Sequence, residues 1–275
     1  MPLLWLRVAV VFYAVGLLYA LALLHRRSEY FSREIILPCV GLGMVFHFVS
    51  LVEAAMLEHL SLASVHHSES LFAFLIMFGF MVVRVKYKTT SPGIFIFPLV
   101  FLLTFASAIA QRPPELNSPV LRSGWVFAHI ALIFTGYAAL FLSFVASLLY
   151  LVQANNLKSK LKNPTDGGFF SRLPALEVID EIGYRALVLG FPFMTLGLVT
   201  GAVLAQQKFG SMYFVDPKVT LSLLMWVVYV VLLYTRWNSG WRGRRAAYLA
   251  TVAFLTAIGA WAANYFSGVH RFIAP

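Results

Sequence analysis

Seven histidines are the side chains of this sequence best suited to carrying a switchable charge or a metal bond near neutral pH, and they are unevenly placed. His59, His66 and His67 fall in one polar break, His129 opens a long apolar run, His270 follows the last such run, and His47 sits near the middle of another. His25 alone belongs to a basic turn. Two imidazoles contributed by remote parts of a chain are what a haem iron takes as axial ligands, so His129 and His270 are the pair to follow. From the residues alone the bland structural reading of the pair stays open. His47 is either packing glue between helices or an intramembrane ligand or relay, because an unpaired polar group in hydrocarbon costs several kcal/mol. His66 and His67 precede Ser68 and Glu69, a pattern that starts a helix with an acid favourably placed on its dipole.

Other reactive groups are sparse. Glu53 and Asp216 are the isolated carboxylates of interest, and no pair of acids has the setting that general acid/base hydrolysis needs. No Ser/His/Asp arrangement or metalloprotease motif is present, so no independent catalytic activity is expected. The segment Gln206–Val219 carries Phe209, Gly210, Ser211, Met212, Tyr213, Phe214, Val215 and Asp216 before Pro217 and Lys218. Aromatic residues in such a turn serve as an interfacial anchoring belt or as a hydrophobic shelf for a flat apolar ligand. Pro217 suits the first turn of a helix.

These residues are positioned by apolar runs. A helix needs roughly 20 apolar residues to cross a hydrocarbon core, and spans are expected near Val8–Leu24, Ile35–Leu57, Ser70–Val83, Gly93–Ala110, Trp125–Val152, Ala186–Ala205, Thr220–Thr235 and Ala246–Phe266. The expected fold class is therefore all-α: a polytopic membrane protein of about eight transmembrane helices in one domain, residues 1–275. The first run lacks a basic segment before it and a small-residue cleavage pattern after it, so it reads as a retained helix. Fifteen of the 21 Lys and Arg residues fall in alternate turns, around Arg26–Arg33, Arg84–Lys88, Lys158–Arg185 and Arg236–Arg245. Basic residues are retained on the cytoplasmic side, which places both termini on the outer side.

The same asymmetry accounts for the net charge of +10. The basic turns suit anionic lipid head groups, and no soluble basic domain is left to hold nucleic acid. Cys39 is the only cysteine, so the chain offers no disulfide framework and no CxxC pair. Without an internal repeat, a transporter built on His47 and Glu53 ranks last. Within the polar stretch Asn155–Arg185, residues Pro174–Glu181 are expected to form a short helix lying along the cytoplasmic surface, where Leu176 and Asp180 would be available to a partner.

Longer motifs carry a family resemblance. Asp216-Pro217-Lys218-Val219-Thr220-Leu221-Ser222-Leu223-Leu224-Met225-Trp226 leads to Tyr234-Thr235-Arg236 and Gly240-Trp241-Arg242-Gly243-Arg244-Arg245. Ala128-His129-Ile130 with Gly136-Tyr137-Ala138-Ala139, and Ser267-Gly268-Val269-His270, add two further matches. Together they resemble the cytochrome c assembly family of CcsA and CcmC, in particular its HemX-like branch.

The resemblance implies a membrane haem-handling protein in a bacterial-type cytoplasmic membrane. Haem would lie between His129 and His270 at the outer face and be presented to a partner, either another assembly subunit or an enzyme of haem biosynthesis. Gly210, Tyr213, Phe214, Asp216 and Trp226 would form the cofactor-binding surface, with His47 as an alternative iron ligand. Where the family has tryptophans this chain has Phe209, Tyr213 and Val215, and Tyr234 stands where the family has an intramembrane histidine. The competing expectation is a membrane scaffold or regulator of tetrapyrrole synthesis or cytochrome assembly that binds no haem.

Overall fold

The structure is a computed structural model that describes residues 2–24, 33–57, 65–110, 124–160, 173–210 and 215–267. These form eight helices: α1 Pro2–Leu24, α2 Arg33–Leu57, α3 Val65–Tyr87, α4 Gly93–Ile109, α5 Gly124–Lys160, α6 Leu176–Phe209, α7 Pro217–Asn238 and α8 Arg244–Ala262, with a 3-10 turn at Ala263–Tyr265. Seven are long and apolar enough to span a bilayer, and α4 is a shorter apolar helix of 17 residues. The described residues contain no strand. The chain is an all-helical polytopic membrane protein, because in hydrocarbon every backbone polar group must be bonded within the segment itself.

One expected element is corrected. Residues 174–181 do not form a separate surface helix: from Leu176 onward they are the first turns of α6, which runs unbroken for 34 residues. The polar face of these turns is held by an exposed i,i+4 pair, Arg185 to Glu181 at 2.6 Å. Pro174 lies just before the helix, where its ring does no harm.

The chain divides into two compact units, residues 1–122 with 152–174, and residues 123–151 with 175–275. In the first unit α1 packs on α2 and α4, and α3 packs on α4. Glycines allow these close approaches. A Cβ on Gly43 would lie 2.7 Å from Phe12 Cβ, and one on Gly16 would lie 2.8 Å from the Phe97 ring. Small residues at such crossings are the usual means of helix association in lipid, where van der Waals packing replaces the hydrophobic drive. At the centre of this unit His47 is fully buried. Its Nε2 lies 2.9 Å from Ser70 Oγ and its Nδ1 3.3 Å from Tyr13 Oη, with the ring edge-on to Tyr13 and Phe74.

In the second unit α7 packs on α8, whose buried positions are all alanines: Ala246, Ala247, Ala250, Ala253, Ala257 and Ala260. One end is tied by a carboxylate. Arg236 donates to both oxygens of Asp180, at 3.0 and 2.8 Å, and Gly243 N–H donates to the same carboxylate at 3.2 Å. Asp180 thereby joins the start of α6 to the end of α7 and the start of α8. It is not the free docking residue expected from the sequence. The Arg236 guanidinium also lies 4.7 Å from the centroid of the Tyr184 ring, so its charge is bonded and stacked at once.

Candidate functional site

The candidate site is built on a glycine row in α6. Gly183, Gly190, Gly197 and Gly201 each face a position of α5: a Cβ added to them would meet Ala146 at 3.3 Å, Ala139 at 2.7 Å, Ile133 at 2.6 Å and His129 at 2.6 Å. As α6 numbers rise, α5 numbers fall, so the helices are antiparallel. Spacings of seven, seven and four keep these glycines on one stripe of the helix. Absence of side chains along this stripe lets the two backbones approach closely and presses the His129 ring against Gly201.

His129 stands five residues into α5, about 8 Å from its start. Its Nδ1 donates to the Gly197 carbonyl at 2.8 Å. Thr200 Oγ1, 3.4 Å from the same nitrogen, donates to the carbonyls of Leu196 and Gly197 at 2.9 Å each. A carbonyl cannot donate, so the proton of the neutral ring is on Nδ1. Nε2 keeps its lone pair, and neither described bond of the ring uses it. This is the arrangement in which a backbone carbonyl fixes the tautomer and orientation of a metal-ligating imidazole.

Asp216 caps the start of α7. Its Oδ1 accepts from Lys218 N–H at 2.9 Å and Val219 N–H at 3.4 Å, Pro217 takes the first helical position, and Thr220 Oγ1 donates to the Asp216 carbonyl at 3.1 Å. Its Oδ2 accepts from Ser267 Oγ at 2.9 Å. Both carboxylate oxygens are thus turned into the protein, and Asp216 is buried. The Lys218 ammonium donates to Asn264 Oδ1 and is close enough to His129 to act on it electrostatically. Val215 and Phe266, beside this cluster, are exposed.

Of the residues expected to form the shelf, Gly210 closes α6 in the left-handed conformation, φ 67°, its N–H donating to the Gln206 carbonyl at 2.9 Å. Trp226 lies about 13 Å along α7 from Pro217. Its indole N–H donates to Thr195 Oγ1 at 3.0 Å and its ring stacks on Phe191. It is a clamp between α7 and α6, attached two residues from the carbonyl that holds His129. Tyr213, Phe214 and His270 lie outside the described residues. Tyr234 is exposed on α7 and accepts a bond from Asn238 at 3.0 Å.

His47 belongs to the other unit, and both of its nitrogens are already engaged. An iron ligand there would first have to give up one of those bonds. Among the described residues, no group of three or more His, Cys, Asp or Glu gathers as a metal site. A haem needs no such group, since its porphyrin supplies four of the donors and the protein one or two. His129 fits that demand.

The glycine row and the Ser267, Asn264 and Thr195 partners were not among the expected site residues. A seven-residue glycine period was the available signal for the first. The partners come from 31 to 51 positions away and leave no local mark.

Comparison with known proteins identifies the family. The family described as Cytochrome C assembly protein matches residues 5–270. The cytochrome c biogenesis protein CcsA of Mesostigma viride is 26% identical over 268 residues, covering 87% of each chain. That of Prochlorococcus marinus (strain MIT 9515) is 28% identical over 272 residues, 90% of this chain and 85% of the relative. For CcsA of Synechococcus sp. (strain CC9902) the identity is 36% over 172 residues, 54% of this chain and 57% of the relative. Matched over residues 5–270, and with eight apolar helices among its described residues, the chain belongs to the cytochrome c assembly protein family.

Proposed function

We propose that this protein holds haem at the outer face of a bacterial-type cytoplasmic membrane and presents it to a partner in cytochrome c assembly. The observation that carries this reading is the His129 ring. Its Nδ1–H is committed to the Gly197 carbonyl, its Cε1 edge is packed against Gly201, and Nε2 is the nitrogen with a lone pair to give. Haem, when bound, supplies an iron with axial positions for imidazole nitrogen. His129 is the first ligand and His270 the second. Exposed Val215 and Phe266 add apolar surface next to Asp216 and Ser267, and the Lys218 ammonium supplies positive charge that favours an anionic porphyrin side chain.

Support for the cargo comes from the relatives, which carry the name cytochrome c biogenesis protein. Cytochrome c is itself a haem protein. The partner is another assembly subunit or a haem-synthesising enzyme, and the basic turns face anionic lipid on the cytoplasmic side. No bond-making step is assigned to the chain alone.

Gently solubilised protein should show a Soret band, either as purified or after haem addition. His129→Ala together with His270→Ala should remove it, while His47→Phe should leave it in place. A wild type that stays colourless after haem addition, or a double variant with an unchanged band, would overturn the proposal. The first of these outcomes would leave a scaffold that binds no haem.

A further inference from the structure

The core-facing stripe of α3 ends on a charge. Ala73, Met77 and Phe80, spaced four and three residues apart, are fully buried, and the next position of the same face, four residues on, is Arg84. Its Nε is shielded from solvent with no hydrogen-bond partner, and none of the described residues sets a carboxylate against the guanidinium. Two other arginines near helix ends are matched: Arg236 donates twice to Asp180, and Arg185 pairs with Glu181. A charge withdrawn from water without a partner is costly, so Arg84 is built for an anion that comes from outside these residues.

The turn into α4 does not supply one. Thr89 Oγ1 donates to Ser91 Oγ at 3.2 Å and accepts from Ser91 N–H at 3.3 Å, while the carbonyls of Thr90, Ser91 and Pro92 accept from Gly93, Ile94, Phe95 and Ile96. These bonds also occupy the first N–H groups of α4, so that helix end is not the seat of an anion. Positive groups gather instead. Lys88 N–H donates to the Arg84 carbonyl at 3.0 Å, and Lys88 takes a left-handed backbone, φ 52°, just past the end of α3, where glycine is usual. A lysine kept in that strained conformation places a cation one turn from Arg84. Lys86 lies 5.6 Å from the centroid of the Tyr87 ring. On the outside of α3, exposed Phe78, Val82 and Val85 follow at four and three residues, an apolar stripe that stops beside Arg84 and Lys86.

We propose that Arg84, with Lys88 and Lys86, binds the phosphate of an anionic phospholipid whose acyl chain lies along Phe78, Val82 and Val85. The occupant follows from depth as well as charge. Arg84 belongs to the span His67–Tyr87, three residues or about 4.5 Å from its end, which is the level of the polar head groups. A phosphodiester already resides at that level in a bilayer, whereas a soluble anion would have to leave water to reach a shielded Nε. Guanidinium meets phosphate through paired N–H groups, which gives the Nε–H the acceptor it lacks. Basic pockets at the cytoplasmic ends of transmembrane helices take anionic head groups in this way. The site lies in the first compact unit and does not depend on the haem reading.

The test uses the full chain, delipidated in dodecyl maltoside and titrated with phosphatidylglycerol, with bound lipid counted by native mass spectrometry. Wild type should hold its first phosphatidylglycerol more tightly than the rest. Arg84→Gln should weaken that first molecule by at least about fivefold and Lys88→Gln by about fivefold, the usual effect of one basic residue at a lipid surface. Arg242→Gln, at an exposed arginine of another turn, should leave it unchanged. Equal weakening by Arg84→Gln and Arg242→Gln would mean diffuse attraction to all the basic turns and overturns the site, as does no weakening by Arg84→Gln. Millimolar inorganic phosphate should not displace the lipid; displacement would assign the site to a soluble phosphate and overturn the lipid.

A second measurement covers loss of folding. In dodecyl maltoside alone Arg84→Met, which keeps an apolar stem and drops the unpaired charge, should unfold at the same midpoint as wild type or later. Adding phosphatidylglycerol should then raise the midpoint of wild type only. A variant that unfolds earlier without lipid shows that the protein itself satisfies Arg84 and overturns the proposal, and so does an equal response of both proteins to the lipid.

Discussion

Gly201→Ala tests the reasoning about His129 with one methyl group. A Cβ at this position would stand 2.6 Å from Cε1 of the imidazole and 3.0 Å from Nδ1. Carbon atoms in contact sit about 3.5–4.0 Å apart, so the ring must withdraw by about 1 Å. That movement stretches the 2.8 Å bond from Nδ1 to the Gly197 carbonyl to as much as about 3.8 Å, beyond hydrogen-bonding range. Losing the bond costs about 1 kcal/mol and overpacking the α5–α6 seam a further 1–3 kcal/mol, by the usual magnitudes. Better helix propensity of alanine offsets up to about 1 kcal/mol. The net expectation is about 1–3 kcal/mol of lost stability, read by reversible unfolding in mixed micelles, and at least about a tenfold weaker haem titration. Gly259→Ala is the internal control, since its Cβ would have nothing within 4 Å; it should be neutral or stabilising by up to about 1 kcal/mol. If Gly201→Ala unfolds and binds haem like the wild type, the packed, carbonyl-oriented imidazole described here is wrong.

Three further outcomes follow from other contacts. Asp180→Ala strands the Arg236 guanidinium and the Gly243 N–H, and should cost about 3 kcal/mol in the same unfolding assay; pairing it with Arg236→Met should recover part of that loss. Gly243→Ala combines a φ of 68° with a Cβ 2.6 Å from Tyr150 Oη, so a loss of about 2 kcal/mol or more is expected, with an intact Soret band. His47→Ala empties a fully buried position and orphans the Ser70 hydroxyl, and should destabilise by about 2–4 kcal/mol without changing the visible spectrum; a changed spectrum would return His47 to the list of iron ligands.

The spans were legible in the sequence because a bilayer demands a length of apolar residues that few other structures contain. The third and seventh runs read short by apolar content alone, and in the structure α3 and α7 take residues from their flanks to reach 23 and 22. The start of α6 misled for the same reason. Hydropathy marks where a helix becomes apolar, at Ala186, whereas the backbone is already helical from Leu176 through turns bearing Glu177, Asp180, Glu181 and Arg185. His129 and Asp216 could be singled out by residue type and motif. What each does depended on partners that sequence spacing conceals: Gly197 is 68 positions from His129, and Ser267 is 51 from Asp216. Asp216 accordingly reads as a shelf residue in the sequence, and in the fold its carboxylate caps α7 and accepts from Ser267. The glycine period of α6 is visible in the chain, but it acquires meaning only when α5 runs antiparallel against it.

Trp226 and His129 grip α6 at Thr195 and Gly197, two residues apart along the axis. Tethers about 3 Å apart, reaching the helix from α7 and from α5, act like a key in a splined shaft. Turning α6 by a single residue step, near 100°, would break both, and sliding it by a turn would do the same. While those bonds hold, the helix can change place only by carrying the indole and the imidazole with it, so its motion is a concerted displacement of the whole trio rather than a swing of one ring.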